Sequence, residues 1–433
     1  MATAPSHASY LRWALATELL LVFTIFAVAV AQANVVIVFP SMKADVALSF
    51  DNADASLVNA LGNAGTLVGS VAVLLVGNRL GGAGMALVAT GCSAAAAFGF
   101  GLSRAVPLFA AIYTVHCAAA ALAWPAATVV LRYWFAPTAR GRAVGVLAAG
   151  FRVGGVVGSL ITGGLLSAMS WSQIVFAGGG FVGASFLLNA LLLRSTPTQR
   201  GVAVDGDVRR EPNGRAQSLR ETLWHMATAP AFWLLLVANS CAAVLLELQA
   251  FAALYLVDRF EVAPSAGGLA AAVFPGGMTL TVLLGGWLSD HASRTASNRV
   301  FSVAAALGVL WVLLLWALPT NIPSGYVAAL ILLFLVGVAA TIIPALAVPL
   351  FAMEFGEEGA CAAVIAAQSV FASIAALVFD FSVGTLTQAA NWTAVLLILL
   401  AVWALGVAFF LFFLASRGRA RAPAVVPTAS LAA

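Results

Sequence analysis

Two loops of the sequence read Val76-Gly77-Asn78-Arg79-Leu80-Gly81-Gly82 and Gly286-Trp287-Leu288-Ser289-Asp290-His291-Ala292-Ser293-Arg294. Each loop follows one apolar segment of helix length and precedes another. Asn78 and Asp290 hold corresponding positions and are 212 residues apart, about half of the 433-residue chain. A polar loop that recurs at half the chain length indicates two repeated halves, an arrangement typical of membrane transporters.

A second pair of loops recurs at a similar distance. Residues 132–142 read Arg-Tyr-Trp-Phe-Ala-Pro-Thr-Ala-Arg-Gly-Arg, and residues 351–359 read Phe-Ala-Met-Glu-Phe-Gly-Glu-Glu-Gly. Gly141 and Gly359 are 218 residues apart. Short Gly/Arg loops are common, but two pairs at nearly equal spacing favour a duplication over chance.

The composition is that of a protein dissolved in a lipid bilayer. The chain is 63% hydrophobic and only 8% charged, whereas a soluble domain has about 25% charged residues. The net charge of +4 comes from arginines in the breaks between apolar segments, which argues against nucleic-acid binding. The four cysteines lie in or beside apolar segments and are interpreted as small packing residues.

Twelve apolar segments are long enough to span a bilayer, which takes about 20 residues each. The predicted class is therefore an all-α polytopic membrane protein with two six-helix repeats. The boundaries divide the chain into a first half (1–194), a cytoplasmic linker (195–228), a second half (229–416) and a cytoplasmic tail (417–433). The predicted helices, numbered 1 to 12, are 13–39, 55–77, 82–102, 106–131, 142–167, 172–193, 230–256, 264–288, 300–318, 325–350, 360–386 and 392–415.

The basic residues predict the orientation. If both termini are cytoplasmic, sixteen of the twenty lysines and arginines lie inside, Lys43, Arg104 and Arg259 lie outside, and Arg152 lies within the membrane. This bias is the positive-inside pattern. The first apolar segment is too long for a cleaved signal peptide and is interpreted as the first spanning helix. The expected location is the plasma membrane or the bacterial inner membrane, as a multi-pass protein.

The loop from Gly286 to Arg294 resembles the signature loop of the major facilitator superfamily, a glycine followed by an acid and basic residues. The string from Trp134 to Gly145 is similar to the helix 4–5 junction in carboxylate- and metabolite-carrying branches, and Arg152 resembles an arginine of the dipeptide-carrying branch. The resemblance implies the twelve-helix major facilitator fold, with helices 3, 6, 9 and 12 at the periphery. A monomer and no cofactor are expected.

In that family the loop acid and arginines help to hold the cytoplasmic side closed. The resemblance therefore implies gating roles for Arg79, Asp290 and Arg294. Asn78 stands where the first loop of the family has an acid, so that loop is expected to form only a neutral hydrogen bond.

Ionisable residues at bilayer depth are candidate site residues, because an unpaired charge there costs several kcal/mol. Arg152 is the sharpest candidate, about 15 Å into helix 5 from Arg142, with glycines around it that allow close approach. Its guanidinium could bind a carboxylate or phosphate in bidentate fashion, or it could form a permanent ion pair with Glu247 or Asp380. Five such residues lie within predicted helices: Glu18, His116, Arg152, Glu247 and Asp380.

Several of these residues have both a functional and a structural interpretation. Glu247 is a candidate for substrate contact or proton coupling, and Asp380 for a gate, a pairing role or coupling. Glu18 either takes part in coupling or pairs with a cytoplasmic arginine. Gln32 lies above it on the same helix face and is a candidate substrate contact. His116 is either a helix–helix hydrogen-bond donor or a proton relay.

Other positions predict packing, kinks or substrate contact. Tyr113 accompanies His116 on helix 4 as a candidate substrate contact. Asn59 and Asn63 lie one turn apart on helix 2 and are expected to form packing or gate hydrogen bonds. Kinks are predicted at Trp124-Pro125 and Phe274-Pro275.

The leading hypothesis is a secondary transporter for a small anionic or zwitterionic solute, such as a carboxylate, amino acid or short peptide, with proton coupling and uniport both open. Proton-driven efflux of drugs or apolar metabolites is an alternative, although its usual arginine inside helix 4 is missing, and a non-transporting membrane sensor is another. The chain has no nucleophile–base set, zinc-ligand spacing or phosphate-binding glycine loop in a plausible context, so neither catalytic residues nor a metal site are expected.

Overall fold

A computed structural model describes residues 7–135, 137–201, 224, 226–319, 323–354 and 358–420. The described chain is helical and contains twelve helices long and apolar enough to cross a membrane, six on either side of the linker. They are helix 1 (Tyr10–Ala44), helix 2 (Asn52–Val73), helix 3 (Arg79–Leu102), helix 4 (Val106–Trp134), helix 5 (Arg142–Leu165), helix 6 (Trp171–Leu192), helix 7 (Pro230–Phe260), helix 8 (Pro264–Gly285), helix 9 (Thr295–Ala317), helix 10 (Ser324–Ala347), helix 11 (Ala367–Gln388) and helix 12 (Trp392–Arg417).

The predicted twelve-helix architecture is confirmed, and two helix starts have clear local causes. Helix 2 begins with a capping box, in which the Asp51 side chain accepts from the Asp54 backbone N–H and the Asp54 side chain accepts from the Asp51 N–H. Ser170 and Gln173 form the same motif at the start of helix 6. Each box satisfies two backbone donors that a helix start leaves without partners.

The two predicted proline kinks are confirmed. Helix 4 is interrupted after Ala120 and helix 8 after Ala271, each four or five residues before a proline. Pro125 and Pro275 lack a backbone N–H, and a proline ring clashes with the carbonyl four residues earlier. The helix therefore breaks on the N-terminal side of each proline.

Helix 7 is also interrupted, but with no proline or glycine nearby. One α-helix runs over Pro230–Leu246 and the next over Leu248–Phe260, with Glu247 between them. The Glu247 N–H is shared between the carbonyl oxygens of Ala243 and Val244 at 3.2 and 3.3 Å. An ionisable residue thus lies at a helix break, an arrangement that membrane transporters use to build binding sites.

The same helix pairs pack closely in both halves. Helices 2 and 4 meet at Gly65, and helices 8 and 10 meet at Gly277, where a Cβ atom would lie 2.2 and 2.0 Å from a backbone oxygen of the partner helix. Helix 1 packs on helix 5 in the first half as helix 11 packs on helix 7 in the second. These matching pairs are what an internal repeat predicts.

The glycines of helix 5 divide between two neighbours. Gly150, Gly154 and Gly158 face helix 1, where a Cβ would lie 2.9 Å from the nearest atom. Gly155 instead faces Pro275 of helix 8 across the central cavity. The close helix approach predicted around Arg152 is therefore confirmed.

Gly81 marks the kink by which the chain passes from helix 2 into the start of helix 3. Its φ of 65° lies in the left-handed region, which favours glycine over residues with a Cβ. Arg79 is exposed at this connection. The side chains of Asn78, Asp290 and Arg294 lie outside the described part of the structure, so the expected roles of these loops stay predictions.

The two halves approach each other closely at the end of the molecule opposite the linker, called here the distal end. Helix 5 meets helix 8 at Gly163, where a Cβ would lie 2.3 Å from the Leu269 nitrogen. Helix 2 meets helix 11 at Gly384, where a Cβ would lie 2.5 Å from the Ala53 Cα atom. Backbone atoms line both positions, so neither has room for a side chain.

We expect Gly163→Ala to open the distal end. The added methyl group must displace the Leu269 backbone, at a cost of about 1–3 kcal/mol that only the closed arrangement incurs. Spin labels at Val46 and Glu261, placed in a cysteine-free background, should report a longer and broader distance. Gly164→Ala is the matched control, because no atom lies within 4 Å of its Cβ position. Equal distances in the two variants would contradict the prediction.

Candidate functional site

A cavity of about 270 Å³ lies between the two halves near the middle of the helices. Its described walls come from helices 1, 2, 4 and 5 of the first half and from helices 7 and 8 of the second. The polar and charged side chains among them are Gln32, Asn59, Tyr113, Arg152, Glu247 and Gln249.

Arg152 reaches this cavity from helix 5 with neutral neighbours. One guanidinium nitrogen lies 4.0 Å from the Met278 sulfur, and the guanidinium carbon lies 5.8 Å from the centre of the Phe151 ring. The ion pair found among the described residues joins Lys43 to Asp258 and does not involve Arg152. Arg152 is therefore not paired with Glu247 or Asp380. The permanent ion pair considered for Arg152 is thus absent from this conformation.

Glu247 and Asp380 form a carboxyl pair, although they lie on different helices. Asn59 Nδ2 donates to Glu247 Oε2 at 3.0 Å and to Asp380 Oδ2 at 2.8 Å. The two carboxyl groups therefore lie close together around one shared donor.

Helix 2 supplies most of the partners of this pair. Asn63 Nδ2 also donates to Asp380 Oδ2, at 2.7 Å. The Ser56 hydroxyl donates to the Asp380 backbone oxygen and accepts from the Gly384 N–H at 3.0 Å. Helix 2 belongs to the first half, so these bonds join the halves. Hydrogen bonds were predicted for the two asparagines, as packing or gate bonds, and the structure contains them.

Two predicted site residues lie away from the cavity. His116 is 2% exposed between helices 3 and 4, with Nδ1 3.4 Å from the Ser93 carbonyl oxygen. Its ring stacks on Tyr113, which does line the cavity. Glu18 is half-buried on helix 1 and forms no ion pair with a described arginine. The structural interpretation of His116 as a helix–helix contact fits this position.

Three cavity residues were not singled out as site residues by the sequence. Gln249 lies two residues after Glu247, and Met278 and Phe151 flank the guanidinium. Apolar residues on an apolar helix carry no local signal of function. A glutamine in the middle of a membrane-spanning helix does carry such a signal, since polar side chains there are costly.

The distal end is held by a polar network centred on Asp258 of helix 7. Its Oδ1 accepts from Lys43 Nζ at 2.7 Å, and its Oδ2 accepts from Asn52 Nδ2 at 2.8 Å and from Trp392 Nε1 at 3.2 Å. Gln388 adds a second link between the halves by donating to Asp51 at 3.1 Å. Lys43 and Asn52 belong to the first half, so one carboxylate connects both halves.

We expect Asp258→Ala to loosen the distal end. The substitution removes the carboxylate that accepts three hydrogen bonds. Its loss should destabilise the closed arrangement by about 1–2 kcal/mol, a modest value because the ion pair is partly exposed. The distance between labels at Val46 and Glu261 should lengthen. Asp45→Ala is the control, because Asp45 bonds Trp171 within the first half. An unchanged distance in Asp258→Ala would refute the proposed role of the network.

Among the described residues, no group of three or more His, Cys, Asp or Glu side chains could hold a metal ion. The described polar groups around the cavity are instead one guanidinium, a carboxyl pair, amides and a phenol. Such a set suits binding and release of a polar solute, and proton exchange.

Comparison with known proteins agrees with this architecture. The family profile of the major facilitator superfamily matches residues 21–378. A "Probable hexose phosphate transport protein" of Chlamydia muridarum is 25% identical over 331 residues, covering 72% of each chain. A protein of the same name from Chlamydia pneumoniae is 23% identical over 334 residues, again covering 72% of each.

Solved structures share the fold at low sequence identity. A D-xylose-proton symporter superposes with a TM-score of 0.73 at 12% identity, over 92% of this chain and 96% of its own. The nucleoside transporter NupG gives a TM-score of 0.67 at 13% identity, over 92% and 99% of the two chains. With a family profile that spans most of its length and twelve membrane-spanning helices around a central cavity, the chain belongs to the major facilitator superfamily and is an integral, multi-pass membrane transporter rather than an enzyme.

Proposed function

We propose that this protein is a proton-coupled secondary transporter of a small organic solute that carries an anionic group, such as a carboxylate, an amino acid or a short peptide. The observation that carries the proposal is Arg152, a guanidinium at the central cavity whose described contacts are neutral. A charge at that depth costs several kcal/mol unless an opposite charge or water faces it. An anionic solute supplies that charge in the bound state.

The carboxyl pair is the proposed coupling site. Glu247 lines the same cavity as Arg152 and shares the Asn59 amide with Asp380, so a proton taken up by the pair would be held beside the bound solute. Opening the distal end would withdraw Asn59 and Asn63 from the pair, because helix 2 moves with the first half. Proton binding and closure of the distal end are then linked, as alternating access requires.

The arginine distribution supports an orientation with the linker end in the cytoplasm and the distal end outside. In that orientation the structure corresponds to a transporter closed on the outside, in a plasma or bacterial inner membrane, with both termini inside. A monomer suffices, since both halves of the cavity come from one chain. The charged groups of Arg152 and Glu247 at the cavity disfavour apolar drugs as substrates.

The names of the relatives support the proposal. The Chlamydia proteins are named for hexose phosphate, which is an anionic solute. The structural neighbour with the TM-score of 0.73 is named as a proton symporter.

The test is uptake into proteoliposomes with and without an inward proton gradient. The panel contains monocarboxylates, dicarboxylates, amino acids, dipeptides and sugar phosphates, and protein-free liposomes are the control. We expect at least one anionic or zwitterionic compound to accumulate only under the gradient. Gradient-driven movement of neutral or apolar compounds alone would favour efflux, and no movement by folded protein would favour a sensor.

A further inference from the structure

The charges around the central cavity limit the charge of the solute. Among the described lining residues Arg152 is the cationic side chain and Glu247 the acidic one. The other polar groups, two glutamines, an asparagine and a tyrosine, are neutral. The described wall therefore has a net charge of zero when Glu247 is ionised and +1 when it is protonated.

We propose, on the basis of the transport function above, that the substrate is a small monovalent carboxylate and that the cavity discriminates against phosphate dianions. One carboxylate matches the fork of one guanidinium in charge and in geometry. The bound carboxylate and the described lining residues are then neutral together when Glu247 is protonated.

A phosphate monoester brings more charge than this wall compensates. Such a group carries about −1.5 to −2 charges at pH 7. Arg152 balances one of them, and the remainder faces the carboxyl pair in a medium of low dielectric constant. Unfavourable contacts between like charges cost several kcal/mol, so a dianion is expected to bind at least about tenfold more weakly than a matched carboxylate.

The carboxyl pair also disfavours a substrate ammonium group. Glu247 already accepts from the Asn59 amide, which it shares with Asp380. An ammonium group would have to compete with that amide for the carboxyl oxygen. A hydroxyl group has no such cost, and Gln32 and Gln249 offer both donors and acceptors for it.

The cavity volume limits the size of the solute. A cavity of about 270 Å³ is at the lower end of the range of about 300–1,000 Å³ that is usual for small-molecule sites. A small solute suits it.

The test compares four three-carbon compounds: glycerate, glycerol 3-phosphate, serine and glycerol. The full chain in nanodiscs is titrated with each at pH 7.5, and binding is measured by thermal stabilisation. We expect glycerate to bind at least about tenfold more tightly than the other three. Tighter binding of glycerol 3-phosphate or serine would overturn the proposal, and so would equal binding or no binding of glycerate by folded protein.

A second measurement compares the affinities for glycerol 3-phosphate and glycerate within one variant. Their ratio does not depend on the fraction of protein that is folded. Gln249→Arg adds a second guanidinium to the wall and is expected to raise the affinity for glycerol 3-phosphate relative to glycerate at least about tenfold. Gln249→Leu is the uncharged control and should leave the ratio unchanged. An unchanged ratio in Gln249→Arg would show that charge does not set the preference.

Binding is measured without a gradient, which separates this inference from the transport proposal. A carboxylate that binds selectively but is not moved would refute transport and leave the charge assignment in place. A phosphate that is bound and transported in preference to every carboxylate would support transport and refute the charge assignment.

Discussion

Arg152→Ala is expected to abolish transport of the anionic solute, with a fall in uptake efficiency of about a hundredfold or more. Truncating one partner of a buried charge pair costs about 2–5 kcal/mol, and about 1.4 kcal/mol corresponds to a factor of ten. Arg152 is the cation among the described cavity residues, so no neighbour replaces it. Initial uptake rates in proteoliposomes, over a range of solute concentrations, measure the loss.

Two further variants distinguish the effect of losing the Arg152 charge from general damage to the protein. Arg152→Lys keeps the charge but loses the planar fork, so an intermediate rate is expected. Arg299→Ala removes an exposed arginine near the start of helix 9 and should leave uptake unchanged. Normal uptake by Arg152→Ala would show that the guanidinium has a structural role only.

Glu247→Gln and Asp380→Asn are expected to abolish uphill accumulation while preserving exchange of solute across the membrane. The amide side chains mimic the protonated carboxyl group in shape but cannot release a proton. An inward gradient of one pH unit stores about 1.36 kcal/mol per proton, so the wild type should concentrate the solute about tenfold at one proton per solute. Each variant should reach only the external concentration.

Counterflow and gradient-driven uptake must be measured on the same proteoliposomes. Glu261→Gln, at an exposed position beyond helix 7, is the matched control and should accumulate solute like the wild type. In the proposed mechanism the pair takes up one proton, so the two single variants and the double variant should behave alike. Full accumulation by the double variant would exclude the carboxyl pair as the coupling site.

The sequence predicted the helices well because membrane-spanning helices depend on a local property. About 20 apolar residues in a row specify a span wherever they occur, and the prolines at positions 125 and 275 predicted breaks that the structure contains. The break at Glu247 was not predicted, because no proline or glycine lies beside it. Its cause is the environment of helix 7 rather than its composition.

The candidate site was predicted only in part. Arg152 and Glu247 were identified as ionisable residues at bilayer depth, and both line the cavity. His116 met the same criterion but lies between helices 3 and 4. Depth along a helix can be read from the sequence, but the direction in which the side chain faces depends on which helices pack around it.

The amino-acid sequence by itself determined that this protein is a two-repeat, twelve-helix membrane protein, because apolar length and loop recurrence are properties of consecutive residues. Only the tertiary structure decided that Glu247 meets Asp380, 133 residues away on another helix, and that Arg152 meets neither. The helices form independently in the bilayer, and their packing against each other sets those distances. The chemistry of the cavity follows from that packing.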